Sequence, residues 1–228
     1  MMADKLPKER ISFYHENRFL IMLLALFGLM LFGPLLGHFI NIRWMILIFF
    51  SFVFLSGIFA VSQKKYQPII ATLLALPALM LMWASHFVDI GGFDHLKNLC
   101  SMLFMFHMIT LFLRHIFRQD EITREVIFGA LVVYLLMGLM WSYGYTLLDH
   151  LLPGSFSYPG TFAELDFDSF NYFSFVTMTT LGYGDISPVS QAARAMAVTQ
   201  SITGQVYLAV LLARLVGINI AQQMRKKN

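Results

Sequence analysis

Six long apolar stretches, separated by short polar segments, dominate the chain. They cover residues 19–42, 44–63, 66–88, 98–113, 126–148 and 195–213. A helix needs about 20 apolar residues to cross the hydrocarbon of a bilayer. Five stretches reach or nearly reach that length, and the stretch at 98–113 is followed by Arg114, whose long side chain can extend to the interface. The pattern therefore predicts an all-α integral membrane protein with six transmembrane helices.

Composition agrees with this interpretation. Hydrophobic residues make up 58% of the chain and charged residues 13%, against about 25% charged residues in ordinary soluble domains. The first apolar stretch is too long for a cleavable signal peptide, and no small-residue cleavage site follows it. We therefore expect it to remain as a membrane span.

Basic residues are distributed unequally between the predicted loops. If the N-terminus is inside the cell, only Arg43, Lys97 and Arg194 of the 16 Lys and Arg residues lie outside. Basic residues stay on the cytoplasmic side of membrane proteins. We therefore expect a multi-pass protein of the plasma membrane with both termini in the cytoplasm. The net charge of +3 then reflects topology in the lipid bilayer, and no nucleic-acid partner is expected.

A short segment with two glycines, Thr179–Asp185 (TTLGYGD), lies between the last two apolar stretches. Gly182 and Gly184 stand at alternate positions and can take positive φ, which residues with a Cβ resist. A backbone that alternates between left-handed and right-handed conformations turns successive carbonyls to the same side of the segment. Four such segments around an axis would form rings of oxygens that replace the water shell of a monovalent cation.

The residues before this segment predict a short helix over Asp168–Thr180. Asp168 or Ser169 can cap its N-terminus. The helix is too short to cross the membrane and would be re-entrant. Its C-terminus would then place a partial negative charge near the middle of the bilayer, where it favours a cation.

Thr180–Asp185 (TLGYGD) resembles the selectivity-filter signature of the potassium channel superfamily, and the surrounding order of helix, filter and helix matches the pore domain of that family. The resemblance covers roughly residues 122–220, and Leu181 departs from it, since Val or Ile is commoner there. It implies a homotetramer that conducts K⁺ passively, with Asp185 at the outer mouth. The residues that would bind K⁺, called the filter segment below, are Thr180, Leu181, Gly182, Tyr183 and Gly184.

The same resemblance implies roles for other residues. Tyr172 and Phe173 can form an aromatic cuff that holds Tyr183, although ordinary aromatic packing would place them similarly. No cofactor is implied, K⁺ being the permeant ion, and the protein is not expected to be an enzyme.

The last predicted helix covers Ala192–Ile220. Gly204 lies where the resemblance implies a hinge, but close helix packing would also favour glycine. The resemblance places Gln205, Leu208 and Leu212 toward a central cavity. The two leucines would form an apolar constriction that gates by dewetting.

These elements predict a domain order. It consists of a cytoplasmic N-terminal segment (1–18), a four-helix transmembrane domain (19–117), an interfacial linker (118–125), a pore domain (126–220) and a short cytoplasmic tail (221–228). The charged and apolar residues around the linker alternate with the period of a short helix on the inner membrane surface. Because the chain ends at Asn228, we expect nucleotide or calcium regulation to require a separate subunit.

The fourth stretch lacks a series of arginines. Only Arg114 and Arg118 are present, both at its cytoplasmic end, and stretches 44–63 and 66–88 contain no acidic residue. Steep voltage sensing needs several charges within the field. We therefore expect a six-span channel with little intrinsic voltage dependence.

Three alternatives stay open. Within the same class, the chain could be a weakly selective cation channel; otherwise it could be a non-conducting membrane interaction subunit with a pore-like fold. Histidines in the bundle could instead hold haem or a metal in a redox enzyme, but no two are spaced i,i+3 or i,i+4, which favours interfacial or packing roles. Those considered are His86, His95, His107, His115 and His150.

The predicted topology can be tested by labelling with an impermeant thiol reagent applied from outside. In a Cys100→Ser background, Ser155→Cys in segment 149–170 should react, because this segment is predicted to be external. Asn228→Cys should not react until the membrane is permeabilised. Labelling of Asn228→Cys in intact cells would contradict the topology.

Overall fold

The computed structural model describes residues 17–28, 30–31, 51, 67–87, 93–158 and 165–227. These residues are mostly helical. The helices are α1 (Asn17–Gly28), α2 (Gln67–Phe87), α3 (Phe93–Ile116), α4 (Arg124–Leu151), α5 (Phe167–Met178) and α6 (Gln191–Lys227). The predicted second span lies outside the described residues except for Ser51, and the first is described only in part.

Three described helices are long and apolar enough to cross a membrane. They are Asp94–Ile116, Arg124–Leu151 and Gln191–Met224. Each coincides with one of the last three predicted spans. Helix α2 covers the predicted third span with a shorter apolar stretch, Ile69–Ala84. The count of six spans stays a prediction, whereas the described residues include three helices with the length and composition of membrane spans.

Helix α3 is longer than the sequence indicated. It begins at Phe93, whereas the predicted span began at residue 98. Lys97 donates to the Asp94 carboxylate at 2.6 Å, one helical turn away. This pair lets two charged residues occupy the first turn of the helix. The apolar stretch therefore lies within a longer helix, and extension of the Arg114 side chain to the interface stays a prediction.

The predicted interfacial helix between α3 and α4 is not formed. After Ile116 the chain makes a single turn and then runs without regular structure to Thr123. The Thr123 hydroxyl accepts from the Val126 amide at 3.3 Å and so begins α4 as an N-cap. Capping residues compete with helix continuation, which explains why the amphipathic pattern alone was misleading.

A two-residue ladder is present in the predicted all-α fold. Strands β1 (Phe156–Ser157) and β2 (Ser187–Pro188) pair antiparallel, with Phe156 opposite Pro188 and Ser157 opposite Ser187. Next to the ladder, the Val189 amide donates to the Ser155 carbonyl at 2.8 Å. Strands this short carry no alternating pattern, so the sequence did not predict them. They join the segment after α4 to the segment after the filter.

The main apolar core lies where α1, α3 and α4 meet. Antiparallel packing of α3 on α4 follows from the short connection at residues 117–123. Because lipid tails are as apolar as these side chains, van der Waals packing between them is the main favourable contribution to the association of these helices. The largest buried members are Phe19, Met22, Leu26, Phe104, Met108, Phe112 and Leu136.

Polar contacts connect α1 and α6 to this core. The Arg18 guanidinium on α1 is buried and donates through Nε to the Glu125 carboxylate on α4 at 2.7 Å. Near the same end of the bundle, Arg214 on α6 donates to the carbonyls of Ile116 at 3.3 Å and Gln119 at 2.9 Å. The positive charge of Arg214 lies at the C-terminal end of α3, where the helix dipole favours a cation.

The Arg18 ion pair gives a stability prediction. Glu125→Gln removes the negative charge and leaves the buried guanidinium without its ionic partner, which should cost about 1–3 kcal/mol. We expect a lower unfolding temperature in detergent. The matched control is Glu121→Gln, because Glu121 is exposed in the preceding loop. Equal unfolding temperatures for the two variants would show that the ion pair contributes nothing.

Candidate functional site

The short helix α5 begins at Phe167 and is capped by the residue before it. Its N-cap is Asp166, whose Oδ1 accepts from the Ser169 amide at 2.9 Å and from the Ser169 hydroxyl at 2.7 Å. The predicted caps Asp168 and Ser169 are therefore wrong: both lie within the helix. Burial raises the pKa of Asp168, and the neighbouring charge of Asp166 raises it further.

The filter segment follows α5 with a backbone that alternates in the sign of φ. Positive φ occurs at Thr180 (61°), Gly182 (58°) and Gly184 (78°), and not at Leu181 or Tyr183. Among the described residues, no atom beyond the two chain neighbours lies within 4 Å of a Cβ built on either glycine. Conformation, and not lack of space, therefore requires glycine there. Thr180 is the sole non-glycine with positive φ among the described residues, a strained conformation typical of functional sites.

In the filter segment, three backbone amides have hydrogen-bond partners in the chain, whereas four carbonyl oxygens have none among the described residues. The amides of Leu181 and Gly182 donate to the Val176 carbonyl at 3.0 and 3.3 Å, and the Thr180 amide donates to Thr177 at 3.1 Å. Within the described ranges, no hydrogen bond of the chain ends on the carbonyl oxygens of residues 180–183. Unpaired carbonyls are unusual in folded proteins and need a partner from outside the chain. Four consecutive oxygens are therefore available to a ligand.

Tyr172 supports the filter segment as predicted. Its ring stacks on Tyr183 with centroids 6.4 Å apart and planes 7° apart. Its hydroxyl donates to Asp185 Oδ2 at 2.6 Å, and Asp185 Oδ1 accepts from the Ile186 amide at 2.9 Å. The bond from Tyr172 lowers the pKa of Asp185 and raises the pKa of Tyr172 to about 12. Asp185 is thus a fixed negative charge directly after the filter.

Phe173 does not share this role within the chain. It is buried and packs edge-to-face on Tyr145 at 5.0 Å and on Phe156 at 5.5 Å. The prediction that it belongs to a cuff around Tyr183 is therefore replaced by an indirect role. Neighbouring positions on a helix point in different directions, so Tyr172 faces the filter while Phe173 anchors the rear of α5.

A buried polar network joins α4, α5 and α6 behind the filter, and the sequence did not predict it. Gln200 on α6 donates to the Ser174 hydroxyl at 2.7 Å and accepts from the Tyr145 hydroxyl at 2.6 Å. Ser174 donates onward to the Gly138 carbonyl at 2.7 Å. The available signal was Gln200 itself, since a polar residue in an apolar span must face protein or water.

Comparison with known proteins bears on this arrangement. Residues 121–220 match a family model described as an ion channel. No curated protein and no solved structure matches the chain. The matched range, residues 121–220, is similar to an ion channel and is called the ion channel domain below. The family is not one of enzymes, and its members conduct ions passively. The matched range contains α5, the filter segment, and the whole of α4 and most of α6.

In the ion channel domain, α6 runs without interruption through Gly204. A Cβ at Gly204 would lie 2.6 Å from Met178 Cγ and 3.1 Å from the Met178 carbonyl oxygen. This contact favours the packing explanation over the hinge. Next to it, Gln205 Nε2 donates to the same Met178 carbonyl at 3.3 Å. Both residues therefore hold α6 against the end of α5, immediately before the filter.

The remaining predicted residues of α6 lie on an open surface. Leu208 and Leu212 are one turn apart, and both are exposed in the single chain. Only 6% of the apolar membrane-spanning stretch of α6 is buried within the chain, whereas 67% of the corresponding stretch of α4 is buried. The helix also continues to Lys227 through the residues predicted to be a tail, which are mostly good helix formers. Within one chain, α6 of the ion channel domain leaves a long apolar surface uncovered.

The buried network gives a prediction that needs no measurement of ion flow. Gln200→Leu keeps the volume but leaves the buried Tyr145 hydroxyl without its acceptor, which should cost about 1–3 kcal/mol. We expect amide hydrogen exchange in α5 to rise by about tenfold or more. Gln191→Leu is the matched control, because Gln191 is exposed on the same helix. Unchanged exchange in Gln200→Leu would contradict the role assigned to the network.

Proposed function

We propose that four copies of this chain form a K⁺-selective channel of the plasma membrane. The observation that carries the proposal is the filter segment, where φ alternates in sign and four consecutive carbonyls have no protein partner. Carbonyl oxygens stacked in rings replace the hydration shell of K⁺. Residues 180–183 supply these oxygens, Thr180 adds its hydroxyl, and Gly184 completes the filter segment, while the Asp185 carboxylate attracts cations at the outer mouth.

A fourfold assembly is supported by what one chain leaves uncovered. Leu181 and Tyr183 in the filter segment are 55% and 66% exposed, and the apolar surface of α6 is almost entirely open. Exposed apolar surface of this extent marks contact with lipid or with other subunits. One chain supplies a single filter strand, so a closed ring needs several copies, and a homotetramer meets this need.

The inner half of the pathway follows from the same assembly. The C-terminus of α5 directs its partial negative charge to the region where a hydrated cation would rest before entering the filter. Gln205 contributes a polar edge to this cavity. Leu208 and Leu212 form the apolar constriction below it. We propose that the channel has little voltage dependence, because α3 carries no series of arginines along its apolar stretch.

Two other functions are compatible with the same fold. A weakly selective cation channel would retain the pore but show no preference for K⁺. A non-conducting interaction subunit would retain the helices without flux. Reconstitution of the purified protein in liposomes separates all three, because it measures cation flux and selectivity in the absence of other proteins.

Gly182→Ala tests the mechanism directly. A Cβ at positive φ costs about 1 kcal/mol in each chain and distorts a ring built from four. We expect loss of conduction or of K⁺ preference, measured as reversal potentials in bi-ionic K⁺ and Na⁺ solutions. Gly217→Ala is the matched control: Gly217 is in α6, and nothing lies within 4 Å of a Cβ there.

Native mass measurement accompanies the flux assay. The wild type and both glycine variants should contain four copies, so that a loss of flux in Gly182→Ala reports on the filter and not on assembly. A clean dimer would exclude the proposed pore. Equal permeation of K⁺ and Na⁺ in the wild type, or unchanged selectivity in Gly182→Ala, would overturn the carbonyl mechanism.

A further inference from the structure

Two histidines that are 55 positions apart in the sequence meet at one end of the helix bundle. The rings of His95 and His150 have centroids 5.2 Å apart, with planes inclined at 77°. His95 lies in the first turn of α3 and His150 in the last turn of α4. Both side chains are exposed. Both rings lie outside the buried core, so filling the core does not account for their contact.

Two carboxylates are next to the histidines in the chain, and that of Asp149 interacts electrostatically with His150. Asp94, which precedes His95, is held by Lys97 at 2.6 Å. Asp149 precedes His150 in the chain. No group of three or more His, Cys, Asp or Glu side chains in the described ranges is arranged to hold a metal. A ligand at this point would therefore be bound by two imidazoles and completed by water.

We propose that His95 and His150 form a binding site for a borderline divalent transition metal ion such as Zn²⁺. A tetrahedral Zn²⁺ holds imidazole nitrogens at about 2.0–2.1 Å, which places the centroids of two coordinated rings about 5 Å apart. The observed separation of 5.2 Å meets this requirement. Rotation of exposed side chains is then sufficient to direct one nitrogen of each ring to a common ion.

The ligand type determines which ions the site accepts. Neutral imidazole suits Zn²⁺, Cu²⁺ and Ni²⁺, whereas Mg²⁺ and Ca²⁺ prefer oxygen ligands. The site is also separate from the filter segment, which offers only oxygens. With two protein ligands it binds more weakly than a structural zinc site with four.

A metal ion at this site would link two parts of the protein. His95 belongs to α3 of the N-terminal helices, and His150 to α4 of the ion channel domain. In the predicted topology the site faces the outside of the cell, where it is accessible to ions in the medium. Bound metal would restrain the two helix ends relative to each other and stabilise the folded protein by mass action.

Calorimetric titration of Zn²⁺ into the tag-free full-length protein in detergent tests the proposal. We expect one Zn²⁺ per chain and a rise in unfolding temperature that a chelator reverses. His95→Ala and His150→Ala should each weaken binding by at least about tenfold, since each removes one of two ligands. His107→Leu is the matched control: it removes an imidazole from α3 at a distance from the pair, where Nε2 has no hydrogen-bond partner.

Three results would overturn the proposal. The first is no binding by the wild type above the detergent blank. The second is undiminished binding in either single alanine variant, because both imidazoles are required. The third is an equal loss of binding in His107→Leu, which would indicate unspecific metal uptake by histidines. None of these results depends on ion conduction, so the site can fail while the proposed channel function stands.

Discussion

The unpaired carbonyls of the filter segment are the constraint on which the rest of the ion channel domain depends. A backbone that leaves four consecutive carbonyls without a protein partner has no regular secondary structure to hold its shape. The amides of its first three residues, 180–182, instead donate to the end of α5, to the carbonyls of Val176 and Thr177. The strained φ of Thr180 persists only because this end is fixed. The position of α5 therefore determines the geometry of the filter.

Three contacts fix α5 from different sides. Gln200 and Ser174 hold its rear to α6 by hydrogen bonds that are fully buried. Tyr172 holds the outer end of the filter through Asp185. Close approach at Gly204 holds the last residue of α5 against α6. Each contact is short and directional, which suits a site where displacement of an oxygen by a fraction of an ångström changes ion binding.

The N-terminal helices are attached to the ion channel domain by charge as well as by apolar packing. Arg18 joins α1 to the start of α4 through Glu125, and Arg214 joins α6 to the end of α3. The pair of His95 and His150 meets at the opposite end of α3 and α4. Movement of the N-terminal helices would therefore reach α4 and α6 directly, without a long-range network.

The sequence by itself determined the membrane-spanning pattern of the last three long helices, the short helix before the filter, and the positive φ at Gly182 and Gly184. Apolar length and glycine spacing are local properties, so one stretch of residues is sufficient to read them. Tertiary structure decided the features that join distant residues. The partners of Gln200, the separation of Phe173 from Tyr183 and the meeting of His95 with His150 each depend on how helices pack, which no single stretch encodes.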